Sequence, residues 1–187
     1  SLCDWSSDVC SSDLEIYTYG KHARKSGISL GQFATSKHRS IVPEYDAFVR
    51  YYGQDTYADD IIRTALNTLE STWTDEQRRM VVVKSSQVLV MYFAVLQNAY
   101  EAVADCNANR LDPAGSNDAW DRAAALLVGS LEGTKKNGTV EGYMLYDLAQ
   151  DYCVEFGTCR DSTSMVDVNE ELVSLFRSEE HTSELQS

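Results

Sequence analysis

Thr74-Asp-Glu-Gln-Arg-Arg-Met-Val-Val-Val-Lys-Ser-Ser-Gln-Val-Leu-Val-Met-Tyr-Phe-Ala-Val-Leu-Gln-Asn-Ala-Tyr-Glu-Ala-Val-Ala-Asp105 decides the fold. Thr74 followed three residues later by Gln77 is a capping box, in which each side chain serves the other residue's backbone N–H. From there Val82, Leu89, Phe93, Leu96, Tyr100 and Val103 recur at the helical period of about 3.6 residues. Met80–Val83 and Val88–Phe93 are rich in residues that favour strands, but no turn dipeptide separates the two runs. The spacing therefore predicts one long helix over about 74–105. Nearly every position from Val88 to Leu96 is apolar, so that helix is expected to be central and buried on most sides. Its most apolar part, Met80–Leu96, is interrupted by Lys84, Ser85, Ser86 and Gln87. A spanning helix needs about 20 predominantly apolar residues, so no membrane insertion is expected here.

Working outward, helix remains the expected state. Only two prolines occur, and alternating strand patterns are missing from most of the chain. Pro43 suits a first helical turn, and Tyr45, Phe48, Val49 and Tyr52 repeat at three and four before Gly53, a natural stop. A second helix starts near Thr56 with Tyr57, Ala58, Ile61, Ile62, Ala65, Leu66 and Leu69 on one face. Beyond the long helix, Asp112–Asn117 reads as a loop ending in an N-cap. The next helical face comprises Trp120, Ala123, Ala124, Leu127, Val128 and Leu131, with Gly129 inside the pattern. Gly133–Gly142 is an exposed polar turn region. Tyr143, Leu145, Tyr146, Ala149, Tyr152, Cys153 and Phe156 mark another helix stopped by Gly157, and Val168–Phe176 is a short last one. Lys21–Arg39 is basic and read as loop. The expectation is an all-α, irregular bundle of five or six helices around the long one.

The two ends are read separately. Arg177–Ser187 back-translates into the common sequencing-library adapter, and Asp4–Leu14 is its reverse complement read in one frame. Residues 1–14 and 177–187 are therefore expected to be non-native and set aside before fold reasoning. This leaves 15–176 as a helical domain, a fragment or single repeat of a longer protein.

The formal charge of the whole chain is −13 at pH 7, and an acid excess persists without the ends. Such a surface repels phosphate backbones and anionic lipid headgroups and draws in cations. No nucleic-acid partner is expected. Excluding the ends leaves Cys106, Cys153 and Cys159, an odd number that fits one disulfide plus an unpaired half, or free thiols. Cys153 lies on a last helical turn and Cys159 on the chain leaving it, so a bridge between them is permitted; Cys106, ending the long helix, is a competing partner. Asn137-Gly138-Thr139 is an N-glycosylation sequon on a loop, or simply a turn. No CxxC or HExxH spacing occurs, which argues against a preformed zinc site. No nucleophile elbow, phosphate-cradling loop or Ser/His/Asp arrangement is legible, so a non-catalytic role is expected.

The eleven tyrosines stand out. Phenolate and carboxylate oxygens are hard ligands suited to a hard cation such as ferric iron. Most of these tyrosines also lie at core spacing and serve equally well as packing groups with a satisfied hydroxyl. His22 and His38 are read either as surface histidines or as ligands. Glu132 is read as ending a helix, where the macrodipole disfavours a carboxylate by a few tenths of a kcal/mol; a cation or arginine partner would account for it.

Several strings carry a resemblance. Tyr51-Tyr-Gly with Tyr57-Ala-Asp, Trp120-Asp-Arg-Ala-Ala-Ala-Leu-Leu-Val-Gly-Ser-Leu-Glu-Gly133, Leu145-Tyr-Asp-Leu-Ala149 with Cys153-Val-Glu-Phe-Gly-Thr-Cys159, and Val168-Asn-Glu-Glu171 running to Leu175-Phe176 are the residues concerned. Together they resemble the low-iron-inducible, iron-assimilating periplasmic proteins of microalgae and diatoms, which are related to phytotransferrins. The resemblance implies a helical, secreted or cell-surface protein, built with other repeats of the same parent. It also implies a protein that binds or delivers ferric iron, with carbonate as synergistic anion. Glu132, Tyr146, Tyr19, Tyr52 and His22 are then the candidate ligands. An extracellular helical structural or interaction domain holding no metal remains the alternative.

Overall fold

The computed structural model describes residues 17–18, 29–35, 42–67, 72–108, 116–129, 144–160 and 165–184. Its helices are α1 (Leu30–Ala34), α2 (Tyr45–Tyr52), α3 (Tyr57–Leu66), α4 (Asp75–Ser85), α5 (Tyr92–Asn107), α6 (Ser116–Val128), α7 (Leu145–Phe156) and α8 (Asp167–Glu184). A two-residue antiparallel ribbon, β1 (Cys159–Arg160) and β2 (Met165–Val166), precedes α8. The all-α expectation holds. The chain forms two compact units, 1–123 and 124–187, with their boundary inside α6.

The long helix is present from Asp75 to Asn107 and starts as the sequence dictates. Thr74 Oγ1 accepts from Gln77 N at 3.3 Å, and Thr74 N donates to Gln77 Oε1 at 3.0 Å. It is not one α-helix, however: a π-helical segment, Ser86–Met91, joins α4 to α5. This is where the polar residues break the apolar run. A π turn takes in an extra residue and so rotates the next stretch of helix by about 100°. Beyond it Phe93 and Ala94 are fully buried, while Val88 and Tyr92 are exposed. Burial on most sides is thus corrected to burial on one face. By length and composition, Asp75–Asn107 is long and apolar enough to cross a membrane; core helices of soluble proteins pass the same test.

In unit 1, α1 and α3 pack on the π turn, and α3 packs on α4. Their core joins Val42, Tyr45, Val49, Tyr57, Ile62, Val90 and Phe93. Helix α1 lies in the stretch read as loop. Its signal is a second capping box, Ser29 with Gln32, too short to register as a periodic pattern. Gly31 faces Tyr17, where an added Cβ would stand 3.2 Å from both the ring and the carbonyl oxygen. Helix α2 stops at Gly53, whose φ of 78° is the left-handed cap a glycine supplies without strain.

In unit 2, α7 also ends on a left-handed glycine, Gly157, and the chain turns into the ribbon with Cys159 opposite Val166. A disulfide joins Cys153 to Cys159 across a Cα separation of 4.9 Å. Buried Asn169, at the start of α8, donates its Nδ2 to the Tyr146 carbonyl at 2.8 Å and ties α8 to α7. Helix α8 does not stop at Phe176 but continues to Glu184, through Ser and Glu residues that helices tolerate. Helix α6 ends at Val128, earlier than the pattern to Leu131 implied, because Gly129 adopts a φ of 67° and caps it. A Cβ at Gly129 would meet Met144 Cγ at 2.7 Å. Gly129→Ala therefore combines a strained backbone with a clash and should cost about 2 kcal/mol in chemical denaturation.

Candidate functional site

The described tyrosines divide by what their hydroxyls meet. At the α2–α3 corner of unit 1, the rings of Tyr52 and Tyr57 stack at 4.7 Å with an interplanar angle of 7°. Tyr51 stands edge-on to Tyr52 at 4.9 Å. Tyr45 donates its hydroxyl to the Asp55 carbonyl. The Asp60 carboxylate accepts from Gln54 Nε2 at 2.6 Å and Thr56 Oγ1 at 3.2 Å, which stiffens the turn between the helices. Tyr57 is only 1% exposed, and its hydroxyl has no hydrogen-bond partner among the described residues. Burial pushes its phenol upward in pKa, and the neighbouring Tyr45 and Tyr52 add to that.

A second cluster joins the N-terminal segment to α3. Tyr17 donates to Asp59 Oδ1 at 2.8 Å, and Arg63 Nε donates to Asp59 Oδ2 at 2.8 Å. The Arg63 guanidinium carbon lies 5.6 Å from the centre of the Tyr17 ring. Burial is the largest cause of the raised Tyr17 pKa, followed by its hydrogen bond to the Asp59 carboxylate, which favours the protonated phenol. Tyr100 is shifted the same way, first because it donates to Glu44 across to α2. Tyr17 and Tyr57 are thus held as neutral phenols, unsuited to act as phenolate ligands. Asp59 and Arg63 stand at the i, i+4 spacing of a helical ion pair, so that pair was legible in the sequence. Tyr17, 42 positions away, left no such signal.

Of the sequence candidates, Tyr52 ends α2 and is 38% exposed, whereas Tyr146, in the first turn of α7, is 9% exposed. They belong to different compact units. Tyr19, His22, Glu132 and Asn137 lie outside the described residues. Helix α6 itself ends at Val128 and does not reach Glu132. Cys153 pairs with Cys159, and Cys106 is free and exposed. Among the described residues, no group of three or more His, Cys, Asp and Glu stands together to hold a metal ion.

Tyr17→Phe removes a charge-assisted hydrogen bond to a buried carboxylate and should cost about 1–3 kcal/mol in urea denaturation. Folding raises the phenol pKa of Tyr17 and Tyr57, so the native state holds protons that the unfolded chain gives up. Their contribution is therefore complete below about pH 10 and is lost as pH climbs above it. Stability measured between pH 8 and pH 11 should fall at the alkaline end, and less steeply in Tyr17→Phe.

No curated protein and no solved structure matches the chain. A family model described as low iron-inducible periplasmic protein matches residues 5–180, nearly the whole length and the two units together. This tyrosine-rich helical chain therefore belongs to the family of low iron-inducible periplasmic proteins.

Proposed function

We propose that this protein works outside the cytoplasm, at the periplasm or cell surface, and binds or delivers ferric iron when iron is scarce, without catalysing a reaction. Membership of a low iron-inducible periplasmic family carries this reading. The acidic chain, the density of tyrosines and the solvent-reaching Tyr52 stacked on the buried Tyr57 support it. Iron is the cargo. The candidate hard oxygen donors are Glu132 and Tyr146 of unit 2 and Tyr19 and Tyr52 of unit 1, with His22 as a further donor and carbonate as synergistic anion. A glycan on Asn137 would suit the same compartment. The long helix is assigned to a folded core against one of its faces rather than to a bilayer, because that face carries the buried polar residues Arg78, Gln87 and Asn98.

The chemistry sets the test. A phenol with a free pKa of about 10 becomes a ligand at neutral pH only when a highly charged cation displaces its proton. Loading with chelated ferric iron should therefore release protons, weaken as pH falls and produce a visible phenolate-to-iron charge-transfer band. Bicarbonate should strengthen retention. Tyr52→Phe and Glu132→Ala should each lower retained iron. Absence of both band and iron after desalting would instead favour a helical structural module without metal.

A further inference from the structure

The long helix turns one face to the core of unit 1 and leaves the other uncovered. Val90, Phe93, Ala94, Asn98 and Ala102 are buried. Val88 and Val103 are 43% and 54% exposed, Tyr92 is also exposed, and Val95 and Ala99 are half-buried. Val88, Tyr92, Val95, Ala99, Val103 and Cys106 follow at spacings of four, three, four, four and three, which keeps them on one narrow face. The π turn preserves that alignment, since its wider turn of about 4.4 residues sets Val88 below Tyr92. Between Lys84 and Glu101 the chain carries no charged residue. That depletion on an exposed face marks the centre of a protein interface rather than solvated surface. The stripe ends on Cys106, exposed and free while the other two core cysteines are bridged.

We propose that this stripe is the contact between two copies of the chain, their α5 helices parallel and in register, and that Cys106 of one copy forms a disulfide with Cys106 of the other. Symmetry and spacing both select a second copy. A residue on the axis of a two-fold interface meets its own counterpart, so an in-register pairing supplies each Cys106 with a partner that the chain itself provides. The stripe keeps the three- and four-residue spacings that seat side chains between two parallel helices, with one repeated four at Val95, Ala99 and Val103 that locally unwinds the supercoil. Area explains why the thiol is needed. From Val88 to Cys106 the helix runs about 27 Å, so the stripe covers on the order of 300 Å² per copy, against roughly 800 Å² in a stable interface. The apolar contact alone would be weak and short-lived, and the disulfide would make it lasting. The step takes two thiols and a small-molecule disulfide such as oxidised glutathione: one sulfur–sulfur bond forms between the chains, the oxidant's bond breaks, and two thiols of the oxidant are released. It rests on the extracytoplasmic location proposed for the protein, where such oxidants keep thiols paired. A membrane is the poorer occupant, because a chain of charge −13 repels anionic lipid and the stripe is flanked by a single lysine, Lys84, four residues before Val88, rather than by a basic face.

The test equilibrates the full chain in a glutathione redox buffer and follows it by non-reducing electrophoresis, peptide mapping and light scattering. A Cys106–Cys106 linked dimer is expected, with the Cys153–Cys159 bridge intact. Val88→Glu and Val103→Glu alter exposed positions and should slow dimer formation at least tenfold with helicity by circular dichroism unchanged. Cys106→Ser should be monomeric at micromolar concentration. A Cys106 left as free thiol or only glutathionylated, crosslinking as fast in the glutamate variants as in the parent chain, or recovery of the monomer on lipid vesicles would each overturn the proposal. None of these readouts involves iron, so their failure is separate from failure of the iron-binding reading.

Discussion

Phe93 is the side chain on which unit 1 turns. Fully buried, it meets Tyr45 and Phe48 of α2 edge-to-face, with ring centroids at 5.1 and 5.0 Å. Tyr57 of α3 lies 5.8 Å from Tyr45 and 6.2 Å from Phe48, so one ring on the long helix gathers the two helices that precede it. Edge-to-face pairs of this kind contribute about 0.5–1.5 kcal/mol each beyond the area they bury. The arrangement depends on the π turn just before it. Were Ser86–Met91 ordinary α-helix, the residues after it would be turned by about 100°, and Phe93 would leave that seat.

The same segment bears on the two surfaces proposed above for iron and for a second copy. Val88 within it and Tyr92 just beyond it are exposed and line the face assigned to a second copy, while the α2–α3 corner where Tyr52 stacks on Tyr57 lies in the same unit. Across unit 1, tyrosines differ by environment. Burial and a carboxylate acceptor hold Tyr17 protonated, and burial without a partner does the same for Tyr57. Tyr52 keeps a path to solvent. Composition alone gives eleven equivalent phenols; packing separates the described ones into buried and solvent-reaching groups.

Much of the architecture was legible because it rests on local rules. The Thr74–Gln77 box, the glycine stops at Gly53 and Gly157, and the faces of α2, α3 and α7 all come from spacing and capping. The missed features depend on contacts remote in sequence or on backbone choices that periodicity does not encode. The π turn is one residue out of register with a pattern that looks continuous. Gly129 reads as a helical interior position until Met144 is seen to occupy the space beside it. Tyr17 is joined to Asp59 only by the fold. The disulfide was permitted by spacing with Cys106 as a rival, and the ribbon pairing Cys159 with Val166 favours the short loop. The candidate iron ligands were drawn from residue chemistry and resemblance rather than from spacing, and of them only Tyr52 and Tyr146 fall among the described residues.

The assignment of this chain to iron handling turns on whether a tyrosine oxygen reaches the metal. Resonance Raman spectroscopy of the ferric-loaded protein, excited within its visible band, reports that bond directly. The account predicts enhanced phenolate ring modes that diminish in Tyr52→Phe or Tyr146→Phe. Retained iron without any phenolate mode would contradict it.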